Sequence, residues 1–224
     1  NAWHCSGLDR HYVDQGWAYH EHALPGLRVL LYPRYAPVQV AMITVSSMDA
    51  QGNFSYGLTN CCMQEMLDAA QTIIVEVNPS MPVIPGMAND HIHVRDVDFI
   101  VEAETEIPTV ESREASELDQ KIAAHIFPYL YDGITLQLGI GGMPNALGQL
   151  IAQSDLKDLG MHTELMSDGY LALYEAGKIT NKKKPLQRHK GVFSICNGSK
   201  KLYSFLDHNL DILSAPMRYV NSPE

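Results

Sequence analysis

Long apolar runs are missing from this chain: the longest, residues 38–45 and 73–77, are too short to cross a bilayer. No charged-then-apolar export signal precedes them, so nothing in the sequence directs secretion. Cysteine is scarce as well. Cys5, Cys61, Cys62 and Cys196 are too few and too unevenly spaced for a disulfide framework, and adjacent Cys61 and Cys62 do not form a CxxC metal pair. These absences point to a reduced, cytoplasmic protein without a membrane partner. Positive charge is in deficit too: a formal net charge of −10 argues against non-specific nucleic-acid binding, which needs a basic face. A starting methionine is also lacking, as in a processed, trimmed or partial chain.

What is present is ordinary globular material. An apolar share of 46% against 19% charged residues excludes a mostly disordered chain, and 224 residues suit one large domain or two of ordinary size. The cations are gathered rather than scattered. Lys178, Lys182, Lys183, Lys184, Arg188, Lys190, Lys200 and Lys201 are half of the 16 Lys and Arg residues, with no Asp or Glu between them. A block of like charge is more often a solvated loop than a site, which ranks that reading above an anionic ligand.

Hydrophobic patterning sketches the elements. Residues 1–37 carry weak periodicity, with residues 27–32 as their only clear strand candidate. Residues 38–45 read as a strand, followed by turn chemistry at residues 49–52 and a short return. Residues 59–70 show helical spacing, and residues 72–78 form an apolar run typical of a buried parallel strand. Residues 99–101 are another short strand. An acidic stretch containing Pro108 then leads into a helix with Leu118, Ile122, Ala123 and Ile126 on one face. The domain boundary therefore falls near Pro108, giving segments 1–108 and 109–224. Beyond it come a strand at 135–138, a helix at 145–152, a strand at 160–165, a helix at 170–176, a strand at 192–195 and a helix from 202. This alternation predicts an α/β fold built on parallel sheets.

Several constellations could carry chemistry. "GIGGMP", from Gly139 to Pro144, places glycines after a strand and a proline in the first turn of a helix. Free N–H groups there would face an anion or a polarised oxygen, although a tight turn without a ligand explains the same residues equally well. Pro144 replaces the third glycine of a dinucleotide fingerprint and no P-loop lysine follows. Glu164 stands alone among Met161, Leu165 and Met166. A carboxylate with few waters around it is a competent nucleophile towards a thioester or anhydride carbonyl, but locally a carboxylate satisfied by backbone N–H groups is the stronger reading. His20/His22 and His91/His93 would each share a strand face, yet no HExxH or paired CxxC supports zinc. No GxSxG marks a hydrolase serine, and Ser46, Ser47 and Ser167 lack the nucleophile-elbow context.

Taken in order, "VSSMDAQGNFSYG", "IIVEVNPSMPVIPG", "DGITLQLGIGGMPNAL", "LGMHTELMSDG", "LYEAGKITN", "GSKKLYSFLDHN" and "YVNSP" resemble the acetyl-CoA hydrolase/transferase family, in particular its 4-hydroxybutyrate and butyrate:acetate CoA-transferases. The resemblance implies two parallel-sheet domains similar to ribose-phosphate isomerase, both incomplete here, and a homo-oligomer at full length. It puts the family's glutamate nucleophile on Glu164, with acyl-CoA and short-chain carboxylates as substrates and no cofactor beyond coenzyme A itself. It further implies that Gln137, Gly139, Gly141, Gly142, Met143, Pro144 and Asn53 bind substrate or CoA, while Glu76 and Asn78 match motif positions with Asn78 also suited to a turn. Family members are about twice this length and carry a glycine-rich segment that closes the site, so the resemblance implies a chain truncated at both ends with little activity alone.

Overall fold

The computed structural model describes residues 7–17, 38–87, 89–110 and 114–222. A first helix, α1 (Gly7–Asp14), lies in the weakly patterned leader, where its low apolar content left no sequence signal. The expected strand at 27–32 and the His20/His22 pair fall outside the described residues.

Strand β1 (Val38–Val45) is β-branched and apolar, and β2 (Asn53–Ser55) is the short return. The turn between them is closed by Asp49, whose carboxylate accepts from the N–H groups of Gln51 and Asn53 and from the Asn53 side chain. Helix α2 (Met63–Ala69) starts four residues later than its periodicity suggests, because residues 58–61 pair elsewhere. It runs directly into β3 (Ala70–Val77). Strand β4 (His91–His93) pairs antiparallel with β2, and β5 (Phe99–Glu102) pairs parallel with β3. The first sheet has the order β1-β3-β5, all parallel, over a core containing Val45, Phe54, Leu67 and Val75.

Helix α3 (Glu117–Ile126) opens with a capping box in which Ser116 and Asp119 satisfy each other's backbone N–H groups. Its apolar stripe is only partly used: Ala123 is buried, whereas Leu118 and Ile122 face solvent. Strand β6 (Thr135–Leu136) is shorter than expected and leads through the glycine turn into α4 (Gly142–Gln153). Then follow β7 (Gly160–Met166), α5 (Asp168–Glu175), β8 (Gly191–Cys196), α6 (Lys200–Leu206), β9 (Ile212–Ser214) and α7 (Met217–Val220). The second sheet is β6-β7-β8-β9, all parallel, with Met161, Tyr170, Phe193, Leu202 and Ile212 in its core. This is the α/β, parallel-sheet class that the alternation predicts.

The basic block does not assemble a charged site. Lys184 is buried, with Nζ donating to the Met161 and Lys190 carbonyls at 2.7 Å each. Lys178 bonds the Ser154 carbonyl, Lys182 pairs with Asp158, Lys200 with Glu106 and Lys201 with Glu175. Lys182, Lys183, Arg188, Lys200 and Lys201 are exposed, as a solvated segment would have them, and Lys184 is the buried exception.

Candidate active site

In open parallel sheets, ligands collect at the carboxyl ends of the strands. Glu164 stands near that end of β7, an interior strand of the second sheet. It is partly buried, and its Oε2 accepts a hydrogen bond of 2.8 Å from Asn221 Nδ2, just past α7. The parallel register His162↔Val192, Thr163↔Phe193 and Leu165↔Ile195 puts Ser194 across from Glu164 on β8. On the other side Leu136 pairs with Met161. The ladder ends at Leu136, but the Thr163 hydroxyl still meets the Leu138 carbonyl at 3.5 Å, so the entry to the glycine turn lies beside the residue that precedes Glu164.

Tyr170 fixes that arrangement. Its buried hydroxyl donates to the Leu136 carbonyl at 3.1 Å and accepts from the Leu138 N–H at 2.7 Å, bridging the point where β6 leaves the ladder. Burial pushes its phenol up to about 12, so it stays protonated as a donor at neutral pH.

Within the turn the glycines have separate reasons. Gly141 has φ +115°, a conformation L side chains rarely adopt. Gly142 is buried, and a Cβ there would lie 2.3 Å from Asp119 Oδ2, so the α3 capping carboxylate sits against the start of α4. Gln137 and Gly139 are exposed, while Met143 and Pro144 are partly buried.

The approach to Glu164 is built from both sheets. Residues 58–61 leave the first sheet and bond to the end of β8: Asn60 and Cys61 donate to the Ser194 carbonyl, and Cys196 donates to that of Leu58. The Cys61 carbonyl accepts from Met217, the first residue of α7. Arg218 pairs with Glu65 of α2 at 3.2 Å. His162, on the same strand face as Glu164, packs its ring 5.8 Å from Tyr219 and places Nε2 3.1 Å from the Val220 carbonyl. A carbonyl only accepts, so that nitrogen carries the proton. Desolvation lowers the His162 pKa, which keeps the ring neutral. The Cys62 thiol donates to Cys61 and holds it below the usual thiol range, against burial and the Glu164 charge.

The family model described as the acetyl-CoA hydrolase/transferase N-terminal domain matches residues 20–111. A probable butyrate:acetyl-CoA coenzyme A-transferase of Syntrophomonas wolfei is 39% identical across 100% of this chain and 50% of its own length. The chain belongs to the acetyl-CoA hydrolase/transferase family. Among solved structures, RipA from Yersinia pestis superposes with a TM-score of 0.88 at 32% identity, over 96% of this chain and 50% of that one. The 4-hydroxybutyrate CoA-transferase of Porphyromonas gingivalis gives 0.84 at 32%, over 96% and 55%. The chain spans about half the length of the curated relatives it matches.

Other positions implied by the family resemblance are held in local structure. Asn53 is engaged by Asp49 in the β1–β2 turn. Glu76 accepts from Thr44 across the first sheet at 3.1 Å. Asn78 is buried, donates to Thr105 and accepts from the Ser80 N–H, which is turn construction. His91 contacts Asp90, His93 accepts from the Arg95 N–H, and among the described residues no group of three or more metal-ligating side chains gathers. A cleft of about 490 Å³ opens between the loop after β3 and α6, lined by Ser80, Met81, Glu104, Lys200 and Tyr203 among others, but not by Glu164. Asn221, Ser194, Cys61 and Tyr170 were given no role by the sequence. Only the "YVNSP" motif hinted at one of them, because strand register and the α7 contact, not spacing, bring them to Glu164.

Proposed function

We propose that the chain carries the nucleophile of an acyl-CoA:carboxylate CoA-transferase of the butyrate, 4-hydroxybutyrate or acetate type. The observation that carries this reading is Glu164 itself: a partly buried carboxylate near the carboxyl end of an interior parallel strand, hydrogen-bonded by Asn221 and next to Thr163, which meets Leu138 at the entry to the glycine turn. Kinship with named CoA-transferases supports the same reaction class.

The chemistry runs by two-stage exchange. A Glu164 carboxylate oxygen adds to the acyl-CoA thioester carbonyl, the C–S bond breaks, and CoA leaves as thiolate with an acyl-glutamyl anhydride behind it. The thiolate adds to the side-chain carboxyl carbon of Glu164, Cδ, the anhydride C–O bond breaks, and the first carboxylate departs from a glutamyl–CoA thioester. A second carboxylate reverses these steps and leaves as acyl-CoA. Every step builds an oxyanion, so N–H donors in the turn at Gly139–Pro144, with Gln137 beside them, are placed to stabilise acyl or CoA oxygens. Segments 1–108 and 109–224 act as two domains of one subunit in a cytoplasmic homo-oligomer, with the nucleophile on the second.

Trapping tests the reading. A chain of the relatives' full length, incubated with butyryl-CoA and then hydroxylamine or borohydride, should carry its adduct at Glu164, and Glu164→Gln should carry none. Full transferase activity in Glu164→Gln overturns the mechanism. Release of free butyrate without any acceptor carboxylate turns the assignment to hydrolase, and CoA binding without an adduct turns it to a non-catalytic CoA-binding role.

A further inference from the structure

Among the described residues two buried side-chain oxygens have no hydrogen-bond partner, Glu65 Oε2 and Ser194 Oγ. The Glu65 case has a local account, since Arg218 neutralises the same carboxylate through Oε1. Ser194 has none. It is 0% exposed in the middle of β8, a strand whose other residues are almost all apolar and buried. An orphaned hydroxyl in such a place is a standing cost that Ala would remove, so it calls for an explanation.

Its position supplies one. Residues Val192 and Cys196, two away on either side along the strand, share its face and offer no good acceptor. On the far side of β8, Asn60 turns its Nδ2 to donate to Ser214 Oγ at 3.3 Å. Across from Ser194 on β7 stands Glu164, facing the same way, one strand spacing of about 4.8 Å distant. The carboxylate now leans to Asn221. A side chain with three rotatable bonds covers the remaining gap by changing rotamer.

We propose that Ser194 is the internal hydrogen-bond donor to the Glu164 carboxyl during turnover, a role that rests on Glu164 being the nucleophile. Its O–H engages the carbonyl oxygen on Glu164 Cδ once Glu164 is acylated and holds the oxyanion that forms as CoA thiolate adds to that carbon. Ser194 keeps its proton and forms no covalent bond; the bonds made and broken remain the C–S and anhydride C–O bonds of the transfer. A donor sealed inside the sheet suits an oxygen that belongs to the protein rather than to the substrate. Asn221, at the exposed rim, holds the carboxylate at rest.

Ser194→Ala separates this role from a structural one. A full-length chain carrying it should form the glutamyl–CoA thioester roughly 100-fold more slowly in single turnover, the size of loss expected for one oxyanion donor. Its acyl-CoA dissociation constant should be unchanged. The melting temperature should hold or rise, because no hydrogen bond is lost in the resting fold. Ser194→Thr, which keeps the hydroxyl, should recover most of the rate. A wild-type rate in Ser194→Ala overturns the proposal, as does a slow rate accompanied by a lowered melting temperature and no rescue by Thr. Glu164→Gln, run alongside, keeps the two readings apart. An adduct that persists in Glu164→Gln sinks the nucleophile assignment. A dead Glu164→Gln beside a normal Ser194→Ala sinks only the Ser194 role.

Discussion

Asn221 stands 57 residues after Glu164 in the chain and still donates to it at 2.8 Å. Nothing in the composition around either residue announces that contact. Local chemistry makes Glu164 a carboxylate satisfied by backbone N–H groups, whereas its partner in the fold is a side-chain amide on another element. The difference matters, because a side-chain donor fixes one oxygen and leaves the other for reaction. With Glu164 as the proposed nucleophile, loss of that orientation in Asn221→Ala should slow acyl-enzyme formation about 10- to 100-fold, through misplacement of the attacking oxygen. Asn221 is exposed, so the melting temperature should stay within a degree or two of wild type, given that surface substitutions cost roughly 0.5 kcal/mol or less. Stopped-flow measurement of CoA release beside a thermal melt checks both halves, and equal rates would show that Asn221 does not orient the nucleophile.

At the scale of elements, the legible part of the fold follows from period. β1, β3 and β8 are largely apolar runs in parallel sheets, and they and β7 are legible in sequence within about two residues, although β1 lies at a sheet edge and leaves Val40 and Met42 exposed. What escaped has a physical cause each time. α1 carries too few apolar residues to show a face. The helical pattern from residue 59 lost its first turn because residues 58–61 bond to β8 instead. Strand β6 ends at Leu136 because a side chain, Tyr170, takes over the ladder's hydrogen bonds. The glycine turn was visible as a motif, but its support was not. Tyr170→Phe keeps the ring and removes both bonds, leaving a buried N–H and a buried carbonyl unpaired. We expect a loss of about 1–3 kcal/mol. Urea unfolding should show a lower midpoint with the slope unchanged. Faster amide exchange at Leu138 would place the damage at the entry to the turn; unchanged exchange there would refute the adaptor role.

For the whole molecule, the informative facts are long-range. The candidate site exists because residues 58–61 cross to the second sheet, and because α7 bonds Cys61, packs on His162 and pairs Arg218 with Glu65. The same scale governs the basic block, most of whose charges are solvated, as the sequence suggests, but not all of them. Lys184 is the extreme case, 4% exposed, with two carbonyl acceptors and no carboxylate. Burial brings its pKa from 10.5 down to about 8. Below about pH 8 both folded and unfolded chains hold this proton, and the fold bears the full cost of a buried charge. Between about 8 and 10.5 the folded chain releases the proton while the unfolded chain keeps it. The unfolded state then binds more protons, so this contribution to stability rises with pH. Other groups oppose it: burial raises the Cys196 thiol above 9 and the Tyr170 phenol above 10, and each lowers stability at higher pH. A comparison with Lys184→Met isolates the lysine, since those groups are common to both proteins. From pH 8 to pH 10 the wild type should gain stability relative to Lys184→Met, and below pH 7 their difference should be flat. Urea midpoints at each pH read this directly. A difference that stays constant across the whole range would mean that the ammonium is held at its ordinary proton affinity, with its two carbonyl acceptors fully offsetting burial.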